Sequence, residues 1–219
     1  MRHSLLIAAL VAFTVVPQAQ PQPGGRPVVS NERVAVRDVT LAPGTPGPME
    51  THAEDSVTVF LQGGTLKVSQ ADGTSRRVTR KAYEAVFNPK GGASSLEAVD
   101  RPIRVVTIEL HDRAVPALPN TTGLPEAFPR PGSTKVFENN RITVWDYTFT
   151  AGKPTPAHFH SRDVVTIYTE DGAVTSTTPA GDSVVNEHFA GEIRFNPRAR
   201  AHTEILTRGK SHIVAVELK

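Results

Sequence analysis

The sequence predicts an all-β protein made of two tandem antiparallel barrels or sandwiches related by internal duplication. Three observations lead there. Residues 31 to 111 align with residues 139 to 219 at a constant offset of 108 without a gap, and 24 of the 81 pairs are identical, where unrelated sequences would share roughly five. Apolar residues fall in short alternating runs rich in Val, Ile and Thr, and no long stretch has a 3.6-residue period. Turn residues punctuate these runs at Gly63-Gly64, Asp72-Gly73, Asn88-Pro89, Asp171-Gly172, Gly181 and Asn196-Pro197.

The chain opens with Arg2 and His3, an apolar run from Leu5 to Val16, and Pro17-Gln18-Ala19. That is the order of a secretory signal peptide over residues 1 to 19, cleaved after Ala19, so the mature protein is expected in the periplasm or outside the cell. The run is well short of the roughly 20 residues that span a bilayer, and no stable membrane span is expected. Residues 20 to 30, with Pro21, Pro23, Gly24, Gly25 and Pro27, read as a flexible mature N-terminus. The chain has no cysteine, so stability must come from packing. With 24 basic against 22 acidic residues and no basic block, it lacks the electrostatic footprint of a nucleic-acid binder.

The first unit, residues 31 to 111, contains strand patterns at Val57 to Leu61, Thr65 to Val68 and Arg104 to Leu110. Residues 112 to 134 carry Pro116, Pro119, Pro125, Pro129 and Pro131, and read as an extended Pro-rich linker. In the second unit, residues 135 to 219, the strands recur at Val164 to Tyr168, Ala173 to Ser176 and His212 to Leu218. Positions identical in both units, such as Gly44/Gly152, Asp55/Asp163 and Asn88/Asn196, read as turns and caps that each barrel needs.

The stretch that bears chemistry is His158-Phe159-His160. On an extended strand the two histidines share a face, about 6 to 7 Å apart along the backbone, and two neutral imidazoles so placed suit a transition metal. Glu204 and Arg200 lie two residues either side of His202 and would share its face of a regular strand. Their plain reading is a surface ion pair; their functional one is a proton acceptor and a clamp for a carboxylate. His111, His188 and His212 have no partner at ligand spacing and read as ordinary strand or loop residues.

The second unit resembles the cupin superfamily, small antiparallel jelly-roll barrels named for two sequence motifs. Gly152, His158, His160 and Gly172 fall in register with the first motif, and Gly191, Pro197 and His202 with the second. The resemblance implies two tandem jelly-roll barrels, a bicupin, with a divalent metal held by His158, His160 and His202. Where the family carries a glutamate ligand, this chain has Val164 and Val165; Ala199 replaces a glycine and Leu206 an asparagine. Three neutral imidazoles leave the full charge on the ion, which favours anionic or bidentate ligands. Glu204 is then a candidate fourth ligand or base. In the first unit the triad positions read Glu50, His52 and Ser94, a vestigial site that Glu54 or water would have to complete, so this barrel is expected to have lost its metal.

The function these features imply is a metal-dependent oxidoreductase, dioxygenase-like, acting on a small organic acid, phenol, diketone or thiol. Fe, Mn, Cu, Ni and Zn all remain open as the metal. A non-catalytic module for a sugar or acid, and a metal-dependent isomerase, decarboxylase or lyase, are the alternatives. The expected partners are a small molecule and a second copy of the chain through barrel edges.

Overall fold

The computed structural model describes residues 27–113 and 115–219. The signal-peptide segment and most of the N-terminal flexible stretch lie outside the described residues. Among the described residues, nine strands form the first unit: β1 Val29–Ser30, β2 Val34–Leu41, β3 Glu50–Thr51, β4 Asp55–Phe60, β5 Gly64–Gln70, β6 Ser75–Arg80, β7 Ala85–Asn88, β8 Ala93–Ala98 and β9 Ile103–Leu110. Nine more form the second: β10 Ser133–Glu138, β11 Ile142–Thr148, β12 His158–His160, β13 Val164–Tyr168, β14 Gly172–Thr177, β15 Ser183–His188, β16 Ile193–Asn196, β17 Arg200–Gly209 and β18 His212–Leu218. The strand patterns read from sequence match β13 and β18 at both ends. The assigned N-terminal stretch is less free than its composition implied, because Val29 and Ser30 pair with Val36 and Ala35.

Each unit is two antiparallel sheets facing one another. The first has the orders β1-β2-β9-β4-β7 and β3-β8-β5-β6; the second repeats them as β10-β11-β18-β13-β16 and β12-β17-β14-β15. The sheets explain why the five-stranded members are so rich in β-branched residues, since both of their faces are covered. On β9, Ile103 and Val105 point into their own barrel, beside Phe60, Leu66, Val68 and Ala98. Val106, Ile108 and Leu110 point out of it and meet Ile142, Val144, Val165, Ile167, Val214, Val216 and Leu218 of the second unit. Alternation along one strand thus feeds two cores, and the larger one lies between the barrels.

Ion pairs ring that shared core reciprocally. Arg33 Nη1 meets Asp163 Oδ2 at 2.9 Å, and Arg141 Nη1 meets Asp55 Oδ2 at 3.0 Å. Arg33 and Arg141 occupy equivalent positions of the duplication, as do Asp55 and Asp163. Each aspartate also caps a turn in its own barrel, accepting the backbone N–H of Lys90 or Arg198 through Oδ1. The repeated Asp therefore serves the turn that the duplication suggested, and the seam as well.

The linker does more than connect. Its middle runs beside β12: Phe159 N donates to Pro125 O, Ala127 N to Phe159 O, and Ser161 Oγ to Glu126 Oε2 at 2.6 Å. Ala127 and Phe128 are buried, and Phe128 stacks on Trp145 with centroids 5.4 Å apart. Proline content forbids regular ladder bonding across this segment, but the residues between the prolines pair and pack.

Candidate metal centre

β12 is only three residues long, with Pro154 and Pro156 just before it. It pairs with β17 in the register His158↔His202, Phe159↔Ala201 and His160↔Arg200. His158 and His160 share a face by strand alternation, and His202 stands directly across from His158. The three rings meet edge to face with centroids 4.7 to 5.1 Å apart, and one ligand atom from each lies within 4.8 Å of the others. All three are buried. The third histidine, implied only by the resemblance, is brought to the first two by this register.

The ring nitrogens have too few partners for an empty hydrogen-bond network. His158 Nδ1 donates to the Pro156 carbonyl at 2.8 Å, which fixes its tautomer and turns a lone pair on Nε2 inward. That Nε2 has no hydrogen-bond partner, and neither does His160 Nδ1, while His160 Nε2 faces His202 Nε2 at 3.2 Å. Two facing imidazole nitrogens and an orphaned third are satisfied together by a cation at their centre. Burial also holds the rings neutral, the form that ligates. It lowers His158 and takes His160 well below the usual range; His202 falls to about 4, with the nearby arginines adding to the effect of burial. The residues fit a metal ion.

Glu204 stands beside the triad on β17. Its Oε2 is 3.9 Å from Nε2 of both His158 and His202, and accepts a hydrogen bond from Arg130 Nη1 at 2.9 Å. Burial pushes this carboxyl up, but Arg130 foremost and the histidines after it outweigh burial and hold it below the usual range. Arg200 borders the same cavity; its Nε donates to Pro197 O at 2.8 Å, and among the described residues the rest of its guanidinium has no hydrogen-bond partner. The cavity, about 70 Å³, is walled by these groups together with Tyr168, Thr166, Asn196 and Arg194. At roughly 10 to 15 Å³ per water it holds on the order of five waters or a ligand of similar size. Val164, at the place of the family's glutamate, forms an apolar wall, and Val165 faces the inter-barrel core.

Arg130 was not legible as a site residue, because it sits in the linker. Its guanidinium lies 4.1 Å from the Tyr147 ring centroid, 4.7 Å from that of Phe128 and 5.4 Å from that of Phe149. The available signal was Phe128-Pro129-Arg130-Pro131, an aromatic and a cation inside a proline run.

The first barrel arranges its equivalents differently. Glu50 pairs with Ser94 across β3 and β8 but is exposed, and His52 Nε2 contacts Ser94 Oγ at 3.3 Å. Among the described residues, the only group of three ligating side chains at metal distance is the one in the second barrel. His188 stacks on Tyr168 at 4.3 Å, and His212 bonds to Asp146 and Thr169, so neither joins the triad.

No family model matches the chain, and no curated protein matches it in sequence. Solved structures do. A cupin 2 conserved barrel domain protein from Leptotrichia buccalis superposes with a TM-score of 0.53 at 10% identity, covering 88% of this chain and 87% of that one. Oxalate decarboxylase from Bacillus subtilis, in a structure concerned with its Mn(II) centres, superposes with a TM-score of 0.61 at 12% identity, covering 86% of this chain and 69% of that one. The chain has the cupin fold, in duplicate.

Proposed function

We propose that this chain is a metal-dependent oxidoreductase of dioxygenase type, exported from the cytoplasm, that acts on a small organic acid at the three-histidine centre of its second barrel. The observation that carries the reading is the charge pattern of one small cavity. Three neutral imidazoles converge where the family has a carboxylate ligand as well, and Arg200 borders them with unpaired N–H groups.

When bound, the metal supplies a Lewis-acid centre with open positions for the acid and a co-substrate. The chain's own groups do the rest. Arg200 grips the carboxylate of the acid in a charge-assisted pair and orients it towards the triad. Glu204, with Oε2 tied to Arg130, holds its second oxygen available to take a proton from the bound acid. Val164, Ile213 and Phe149 exclude bulk water from the back of the cavity, which strengthens each of these interactions. For this chemistry the metal is one of Fe, Mn, Cu and Ni, since zinc has no redox change to offer.

A decarboxylase is the second reading, favoured by the same Glu204, since the proton that its carboxylate takes from the bound acid can return to the carbanion left when carbon dioxide departs. The oxalate decarboxylases that share the fold act, by their name, on a small dicarboxylate. One experiment separates the readings. Protein loaded with each metal in turn is given a panel of small acids, phenols, diketones and thiols while oxygen uptake and carbon dioxide release are followed. Oxygen uptake with an oxidised product supports the first reading, carbon dioxide release without oxygen uptake the second, and tight binding with neither overturns both in favour of a binding module.

A further inference from the structure

We infer that Arg130, carried by the segment that joins the barrels, is a positioning residue that holds Glu204 beside the histidine triad and outside the ligand set of the metal. The inference rests on the metal reading above. The Arg130 side chain is 5% exposed, and three aromatic rings surround its guanidinium. Its Nε has no partner, and among the described residues the Glu204 carboxylate is its one charged contact. A guanidinium taken out of water among apolar rings must keep a counter-charge. The contact therefore acts in both directions. Arg130 cannot release Glu204 without leaving its own charge buried and alone, and Glu204 is held by a group that comes from outside the strand that bears it.

The distances say what that hold prevents. Ligand bonds to a first-row metal run about 2.0 to 2.2 Å, so two ligands of one tetrahedral ion sit roughly 3.4 Å apart. Glu204 Oε2 is 3.9 Å from two of the three ligating nitrogens. A movement of about half an ångström to an ångström, within reach of side-chain rotation alone, would make the carboxylate a fourth ligand. The backbone need not move: Glu204 N donates to Thr155 Oγ1 and Glu204 O accepts from Thr155 N. With the carboxylate held off, the ion keeps its full double charge and an open position; with the carboxylate bound, the site loses one unit of each.

The test uses the full mature chain and cobalt(II), whose visible absorption reports coordination number. Wild-type and Glu204→Gln proteins are expected to give the same cobalt spectrum, because Glu204 is not a ligand in either. Arg130→Met is expected to give a new spectrum of higher coordination number and to hold cobalt about tenfold more tightly in competition with a chelator. Adding Glu204→Gln to Arg130→Met should restore the wild-type spectrum and affinity. A merely structural role for Arg130 would alter stability but would not make the spectrum depend on Glu204. The inference is overturned if Arg130→Met matches the wild type in spectrum and affinity. It is also overturned if Glu204→Gln alone changes the spectrum, a comparison that stands even where Arg130→Met does not fold. A wild-type protein that binds no cobalt overturns the metal reading and this inference with it; binding without turnover sinks the activity alone.

Discussion

Buried imidazoles that lack partners make the metal-free site costly, and this sets two expectations at the scale of single residues. Metal at a hundred times its dissociation constant should stabilise the protein by about 2.7 kcal/mol, and His158→Ala or His202→Ala should abolish that increment, read by thermal unfolding with and without metal. The second concerns pH in the metal-free protein. An unfolded histidine titrates near 6.5, whereas His202 in the fold titrates at about 4 and His158 and His160 are also lowered. Between these values the unfolded chain binds more protons than the folded one, so stability rises with pH across the window and falls as pH drops from 6.5 towards 4. The slope is up to about 1.4 kcal/mol per pH unit for each ring. Urea titrations of the metal-free protein at pH 7 and pH 5 check it, and the difference should shrink in His202→Asn. At this scale the sequence was legible for the histidines, because strand alternation is a rule that a His-x-His spacing obeys. Arg200 reached the cavity for the same reason. Arg130 was hidden because nothing local says that a residue between two prolines folds back onto a barrel.

Among the elements, β12 and the linker beside it decide whether the site exists. Three strand residues paired on one side to β17 make a weak ladder, and the bonds from Pro125, Ala127 and Glu126 complete the other side. Phe128 anchors this segment against Trp145, Tyr147 and Phe149 and forms part of the enclosure of Arg130. Phe128→Ala should therefore cost about 3 to 5 kcal/mol in urea denaturation, and it should alter the cobalt spectrum in a Glu204-dependent way, because the hold on Glu204 loosens with its enclosure. Strands at the seam, such as β13 and β18, were legible because they are short runs rich in Val and Ile with apolar residues on both faces. β14 was legible from Ala173 to Ser176, but its partner β15 was not. Val184 and Val185 are both exposed, so its strand residues do not alternate between core and solvent as a half-buried strand does. The first unit carries Arg76 and Arg77 at the matching positions, so the two copies have diverged here in surface chemistry while keeping the same pairing.

For the whole molecule, the seam between the barrels is the main source of cohesion. Buried Val, Ile and Leu from six strands fill it, and each fully buried side chain of this kind contributes about 1.5 to 3 kcal/mol. Unfolding should be a single transition with equal calorimetric and van't Hoff enthalpies, because neither unit can open without exposing the other's core face. Arg33→Met, which strands Asp163 at the seam, should lower stability by about 3 kcal/mol without splitting that transition. The duplication was legible from the offset of 108 alone. That the two copies face each other through their larger sheets was not, since alternation names two faces and cannot say which one meets a neighbour.

The shared layer gives the first barrel, in which no three ligating side chains converge among the described residues, a reason to persist. Ile142, Val144, Val165, Ile167, Val214, Val216 and Leu218 would all become surface in a fragment covering residues 115 to 219. Such a fragment already carries the related half of a two-fold arrangement, and it should associate with its own copy through that face, giving twice the fragment's mass by light scattering. The first barrel is in this sense a partner subunit made permanent by covalent attachment: it lends the second barrel a dry wall, while the three-histidine cluster found among the described residues belongs to the second barrel alone.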